Sequence, residues 1–169
     1  YGAVTAAGVA RLRAALPAGA LLVADSRFSL DTLGTVDGAT PNLEELAETA
    51  DSVPEGDDAV AASAEALRRK LGARFVVATR GSEGLTLVEA DKPALHLPVF
   101  GTDQVADVTG AGDTVLATLT LALAAGANPA DAAVLANLAG GVVVTKLGTA
   151  TVSRGELHRA IDLAPFVHD

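Results

Sequence analysis

The chain has 169 residues, half of them hydrophobic, and its 12 basic and 21 acidic side chains leave a formal net charge of -9. That length and composition fit one globular domain able to bury about 70% of the surface its unfolded chain exposes, while the acidic balance argues against a protein that works by neutralising nucleic-acid phosphates or an anionic membrane surface. With no cysteine, disulfides, zinc–thiolate sites and thiol catalysis are excluded, and a reducing cytoplasm is the plain expectation.

In chain order, helical periodicity first runs over residues 5–16, with Val9, Leu12 and Leu16 on one face and Arg11 and Arg13 turned away. Pro17-Ala18-Gly19 ends it. The apolar run over 20–24, closed by Asp25, is short and bounded by turn residues, which predicts a buried parallel strand. A polar connector follows; in it Asp25-Ser26-Arg27 either offers a basic side chain to a phosphate or lies in solvent. Thr40-Pro41-Asn42 then leads into a helix at Leu43, whose acidic first turn suits the positive end of the helix dipole. Residues 57–71 predict another helix, stopped by Gly72. Residues 75–79 read as a second buried strand, and 84–88 with 94–99 flank a turn at Asp91-Lys92-Pro93 as a hairpin. Helices follow over 114–125, 129–144 and 153–163. The longest uncharged stretch, from Thr114 to Ala130, is broken by Gly126, Asn128 and Pro129 before it could cross a bilayer. Alternating strands and helices with a helical tail predict a three-layer α/β architecture, with no repeat, linker or domain boundary. The opening Tyr1-Gly2-Ala3 carries no leader pattern, and a start on tyrosine suggests a piece of something longer.

The stretch that carries most chemistry is Asp107-Val108-Thr109-Gly110-Ala111-Gly112-Asp113-Thr114, between a strand and an apolar helix. A small-residue turn at a helix start leaves backbone N–H groups aimed outward as an anion cradle, for which phosphate is the natural guest. Asp113, beside that cradle, is placed to take a proton from a hydroxyl attacking a phosphoryl group. The competing reading is an ordinary tight turn with Asp113 as a helix cap. A dinucleotide fingerprint fits poorly because Val115 stands where it needs glycine, and a P-loop fits worse because no Gly-Lys-Ser or Gly-Lys-Thr occurs.

The same eight residues resemble the C-terminal signature of the ribokinase (PfkB) family of carbohydrate kinases, and the rest of the chain agrees in order. Thr40-Pro41-Asn42-Leu43-Glu44-Glu45 resembles the family's Asn-x-x-Glu segment, Thr79-Arg80-Gly81-Ser82-Glu83-Gly84 its nucleotide-phosphate loop, and Val144-Thr145-Lys146-Leu147-Gly148-Thr149 the segment that closes the nucleotide site. Within the family, the stretch from Lys146 to Ser153 looks most like the kinase module of heptose-phosphate kinases in ADP-heptose synthesis. The nucleotidyltransferase module associated with it would need a His-x-Gly-His motif, and none is present; His96, His158 and His168 are scattered and read as surface or strand residues.

The resemblance implies an ATP-dependent kinase acting on a sugar or sugar-phosphate hydroxyl. Asp113 would be the general base, and the amides of Gly110, Ala111 and Gly112 would stabilise developing charge. Asn42 and Glu45 would hold a Mg²⁺–water shell; Thr79, Gly81, Ser82, Gly84, Asn137 and Gly148 would line the nucleotide. Asp107 with the carbonyls of Thr109, Val143, Lys146 and Gly148 matches where many members bind a monovalent cation, K⁺, although Val152 stands where some relatives offer a hydroxyl. Tyr1-Gly2 aligns near the middle of the family's chain. Residues 1–169 are therefore expected to be a single domain, the ATP-binding, catalytic C-terminal half of a ribokinase-like sandwich. The sugar-binding half and its β lid would lie outside it, and the isolated chain would be inactive, homo-oligomeric or paired with the missing half. The alternative is a non-catalytic nucleotide-binding fragment that pairs with another chain.

Overall fold

Thr5 accepts the amide of Gly8 on its side-chain oxygen at 3.1 Å and opens the first helix, α1 (Ala6–Ala15). The computed structural model describes residues 4–27, 29–48, 52–101 and 105–164; Tyr1, Gly2 and His168 lie outside them. These residues fall into two compact units, one built from those up to Arg80 together with Thr86–His96, the other from Gly81–Leu85 and those from Leu97 onward.

The first unit holds α1, then β1 (Val23–Ala24), β2 (Gly38–Ala39), α2 (Leu43–Ala47), α3 (Asp57–Leu71) and β3 (Phe75–Thr79). A five-stranded sheet runs in the order β1-β2-β3-β4-β5, with β4 at Leu85–Glu89 and β5 at Leu95–Leu97. β1 and β2 pair in parallel, as do β2 and β3, with Ala39 opposite both Ala24 and Val76. Leu46 of α2 and Val60, Leu67 and Leu71 of α3 are buried with Val76 and Ala78 of β3 in one apolar cluster, so the sheet and the helices that cover it share a core.

Several elements differ from the sequence reading. The strand expected over 20–24 pairs only at Val23 and Ala24, because side chains capture its first backbone groups. Arg13 donates to the Ala20 carbonyl at 3.1 Å, and the Leu22 amide donates to the Asp37 carboxylate at 2.7 Å. Strand β2 went unread because Gly38-Ala39 carries no apolar run; a Cβ at residue 38 would lie 2.1 Å from the Phe75 ring, so close approach requires glycine. A 3-10 turn at Leu30–Thr32 also lies in the stretch read as connector. On α1, Val9 is buried but Leu12 is 47% exposed, so the expected apolar stripe is covered at one end.

In the second unit, α4 (Ala111–Ala124), α5 (Pro129–Val143) and α6 (Arg154–Leu163) match the expected helices, except that α4 begins three residues before the expected Thr114. Asn128 caps α5 ahead of Pro129, and Ser153 caps α6 in a reciprocal box with Glu156. Leu138 of α5 and Ala160 of α6 are buried together with Ala164, against Phe100, Val134 and Ile161. Among the described residues no helix is long and apolar enough to cross a membrane.

On α3, the Glu65 carboxylate bonds Arg68 at 2.6 Å and Arg69 at 2.7 Å, and these bonds, Arg68 foremost, hold its pKa at about 2 against an ordinary 4.5. A carboxyl group whose pKa falls on folding adds stability above its ordinary value and loses it as pH falls toward the folded one. Urea unfolding between pH 5 and pH 2 should therefore show Glu65→Gln flattening the acid limb, by about 1 kcal/mol for a partly solvated pair.

Candidate functional site

In the first unit the polar residues gather where β2 ends. The Thr79 amide donates to the Pro41 carbonyl at 2.8 Å, and Asn42 bridges to Thr79 in parallel fashion, so the end of β3 and the start of α2 are held side by side. Asn42 and Glu45 cap α2 reciprocally. Asn42 Oδ1 accepts the Glu45 amide at 2.8 Å, while the Glu45 carboxylate accepts the Asn42 amide at 2.9 Å and the Asn42 side-chain amide at 3.0 Å. Burial raises the Glu45 pKa, the Asn42 amide opposes that, and the neighbouring Asp25 and Glu48 push it further up. The loop after β1 thus lies electrostatically close to this carboxylate. Thr40, just before Pro41, is buried, and its Oγ1 has no hydrogen-bond partner among the described residues.

One residue that sequence reasoning passed over is Arg80, directly after β3. Its side chain is 5% exposed, and its guanidinium bonds Asp57 Oδ1 at 2.6 Å and donates to Thr86 Oγ1 at 3.2 Å; that oxygen is also 3.0 Å from His96 Nδ1. A charged side chain at the end of a strand as apolar as Phe75–Ala78 is a signal that it has partners waiting. Gly81–Glu83 then forms a 3-10 turn carrying Gly81 and Ser82, closed by the Gly84 amide donating to the Gly81 carbonyl at 3.2 Å. At Gly84, φ is +90° and a Cβ would lie 2.0 Å from the Leu97 carbonyl oxygen, so the loop exit is sealed against any side chain.

In the second unit Gly110 is the left-handed residue, φ +82°, and the helix starts at once after it. Ala111, Gly112 and Asp113 are the first three residues of α4 rather than a turn before it. The Ala111 amide donates to the Val108 carbonyl at 3.1 Å. The amides of Gly112 and Asp113 have no protein acceptor among the described residues, and both residues are exposed. Asp113 caps nothing: the N-cap is Gly110, and among the described residues the Asp113 carboxylate makes no protein hydrogen bond. A Cβ on Gly112 would meet nothing within 4 Å. Two open amides, an open approach and an unengaged carboxylate therefore share the positive end of a helix fixed by the buried Val115 and Leu119.

Asp107 and Gly148 are brought together, with Thr109. Asp107 Oδ1 accepts the Thr109 amide at 2.9 Å and Oδ2 the Gly148 amide at 3.1 Å. The Thr109 hydroxyl, then these amides, hold the Asp107 pKa below the ordinary carboxylate value. The Val143 carbonyl accepts the Lys146 amide at 3.0 Å, and the Lys146 ammonium pairs with Glu156 at 2.8 Å. That ammonium, followed by Ser153, brings the Glu156 pKa to about 2. Asn137 is 4% exposed, and its side-chain amide donates to the Pro98 carbonyl at 2.7 Å, so that it holds the chain leaving β5.

The family model for pfkB family carbohydrate kinases matches residues 7–154, and the chain belongs to that family. Among curated relatives, the bifunctional protein HldE of Halorhodospira halophila is 48% identical over 126 residues, 75% of this chain and 26% of the relative. The chain thus spans about a quarter of the length of the curated relatives it matches. Arabidopsis thaliana ribokinase, solved with ribose and ATP, superposes with a TM-score of 0.82 at 22% identity over 94% of this chain and 53% of that one. Phosphofructokinase-2 from Escherichia coli, solved with potassium, superposes with a TM-score of 0.80 at 20% identity over 92% and 50%. These likenesses establish the α/β, ribokinase-like fold.

Removing the Asn137 side chain breaks its part-buried hydrogen bond to the Pro98 carbonyl, which costs about 0.5–1.5 kcal/mol. Denaturant unfolding of Asn137→Ala should show a loss of that size with an unchanged m-value.

Proposed function

We propose that this chain is the ATP-binding and catalytic part of a kinase that phosphorylates a sugar or sugar-phosphate hydroxyl. The observation that carries the reading is the start of α4, where an exposed carboxylate with no protein partner among the described residues stands beside two open amides. An N-capping aspartate would have spent that carboxylate on the helix; Asp113 keeps it for a proton. As the acceptor oxygen forms its bond to the γ-phosphorus, the bond from that phosphorus to the β,γ-bridging oxygen breaks and ADP leaves, and Asp113 takes the hydroxyl proton. The Gly112 and Asp113 amides, with the helix dipole, stabilise the charge that builds on the transferring group. Gly81, Ser82 and Gly84, in a turn of fixed shape after β3, face the nucleotide phosphates in this reading, and Thr79 stands at its root. Gly148, tied to Asp107, holds the segment on the nucleotide's other side, where Leu147 is 84% exposed and offers an apolar face to a base.

Mg²⁺ fits the first unit as a water-held ion. Among the described residues no three acidic or histidine side chains are grouped tightly enough to cage a metal. Glu45, however, is a half-buried carboxylate whose pKa is raised first by burial and then by the neighbouring Asp25 and Glu48, and a cation would favour its charged form. Asn42 and Glu45 would hold its waters, and the ion would neutralise phosphate charge. Heptose phosphate is the acceptor class favoured here, on the resemblance of the stretch from Lys146 to Ser153 to heptose-phosphate kinases; the whole HldE relatives are bifunctional, and this chain corresponds to a quarter of their length.

Two substitutions separate the roles. In an enzyme that also carries the acceptor-binding part, Asp113→Asn should lower kcat by about 10²- to 10⁴-fold with nucleotide affinity unchanged, as loss of a general base does. Gly112→Val should do the reverse. Its side chain has space, so unfolding stability is kept, but it stands where the phosphate approaches, and calorimetric titration should show ATP binding weakened at least tenfold. Near-normal turnover by Asp113→Asn would overturn its assignment as the general base.

A further inference from the structure

The turn over residues 81–84 is entered and left through residues that one side chain ties together. Arg80, which enters it, donates from Nη1 to Thr86 Oγ1 at 3.2 Å, and Thr86 lies two residues past the exit glycine, on β4. The same Nη1 bonds Asp57 Oδ1 at 2.6 Å, so the tie is fastened to the first residue of α3. Thr86 Oγ1 is also 3.0 Å from His96 Nδ1 on β5, and that nitrogen lies 3.9 Å from Asp57 Oδ1. Arg80, Asp57, Thr86 and His96 all belong to the first unit. One guanidinium therefore joins the end of β3, the start of α3 and the start of β4.

The two ends of this ion pair differ in their access to water. The Arg80 side chain is almost wholly buried, whereas that of Asp57 is 59% exposed. Withdrawing a charge from water is costly, and a partner that stays in water offsets little of the cost. What the arrangement does fix is a distance. The guanidinium is planar and presents its donors in a stiff fork, so residues 80 and 86 are kept at one separation and the residues between them have one span to bridge. Those residues need such a constraint, because Gly81 and Gly84 are both conformationally permissive and the bond that closes the turn, from the Gly84 amide to the Gly81 carbonyl, is 3.2 Å long. We propose that Arg80 is a positioning residue for the nucleotide, a clamp on the two ends of the 81–84 turn that holds its backbone in the shape phosphate binding requires. The proposal rests on the kinase reading, in which that turn faces the nucleotide phosphates, and Arg80 acts in it through the backbone of the turn.

The test uses an enzyme that also carries the acceptor-binding part. ATP affinity is measured by calorimetric titration, beside kcat, the KM of each substrate, urea unfolding and amide exchange over 82–85. Arg80→Met should weaken ATP binding and raise the ATP KM by about tenfold, the weight of one hydrogen bond from a charged donor. The acceptor KM should not change, kcat should change much less than the ATP KM, and exchange at the Gly84 amide should quicken by a similar factor. Arg80→Lys, which keeps the charge without the fork, should recover part of each loss. Thr86→Val removes the hydroxyl and keeps a buried branched side chain; it serves as the second variant if Arg80→Met fails to fold, and should weaken ATP binding in the same way. The double variant should bind ATP no more weakly than Arg80→Met alone, because both substitutions break one tie. Unaltered ATP affinity in the Arg80→Met and Thr86→Val variants, a loss confined to unfolding stability, or additive losses in the double variant would overturn the inference and leave the kinase reading standing. An unaltered enzyme that binds no ATP would overturn the kinase reading and the positioning role together.

Discussion

The hydrogen bond from the Thr79 amide to the Pro41 carbonyl, at 2.8 Å, governs where the first unit keeps its polar residues. Proline contributes a carbonyl to a ladder and no N–H, so β2 can be held at this point from one side only and the chain is free to turn. It turns immediately into Asn42, which bridges to Thr79 and caps α2 in the same step. A five-residue helix has too few internal bonds to persist on propensity; α2 exists because of that reciprocal cap and because Leu46 is fully buried beneath it. Asn42, Glu45 and Thr79 are neighbours because three parallel strands end at this edge, the edge at which open α/β sheets characteristically bind ligands.

The second unit solves a similar problem with a carboxylate. Asp107 receives one amide from two residues ahead and one from Gly148, forty-one residues on, and so pins the approach to α4 against the segment that leaves α5. The Thr109 hydroxyl, foremost, and then these two amides hold its pKa below the ordinary carboxylate value. Asp113, six residues later, lacks such partners. Two aspartates in one short stretch thus have opposite surroundings, one tied to the backbone and one left exposed.

What could be read from the sequence followed what local pattern encodes. β3 was legible because Phe75, Val76, Val77 and Ala78 are all buried and consecutive. Residues 20–24 look equally apolar, but hydrophobicity records burial and says nothing about which amide finds which acceptor; the Leu22 amide found a carboxylate fifteen residues away. Gly38-Ala39 carried no signal, since its pairing depends on the Phe75 ring crossing over a missing Cβ. The start of α4 was placed late because Gly110-Ala111-Gly112 reads as a turn, whereas only Gly110 has turn geometry and the next two residues are already helical. Asn137 entered through the family resemblance alone, and no local pattern foretells that its side-chain amide donates to a carbonyl thirty-nine residues earlier.

The sealed position at Gly84 bears on how this loop can vary. Gly81 and Gly84 both have positive φ, but a Cβ at 81 would meet nothing within 4 Å while one at 84 would collide with the Leu97 carbonyl and the backbone of Pro98 and Val99. At 81 the penalty is conformational alone, and asparagine or aspartate, which tolerate the left-handed region, can share the place. At 84 strain and overlap add, and no side chain relieves either. Within one four-residue turn, then, the first glycine is open to drift and the last is frozen, so the loop can exchange chemistry at its entrance while its exit stays the same.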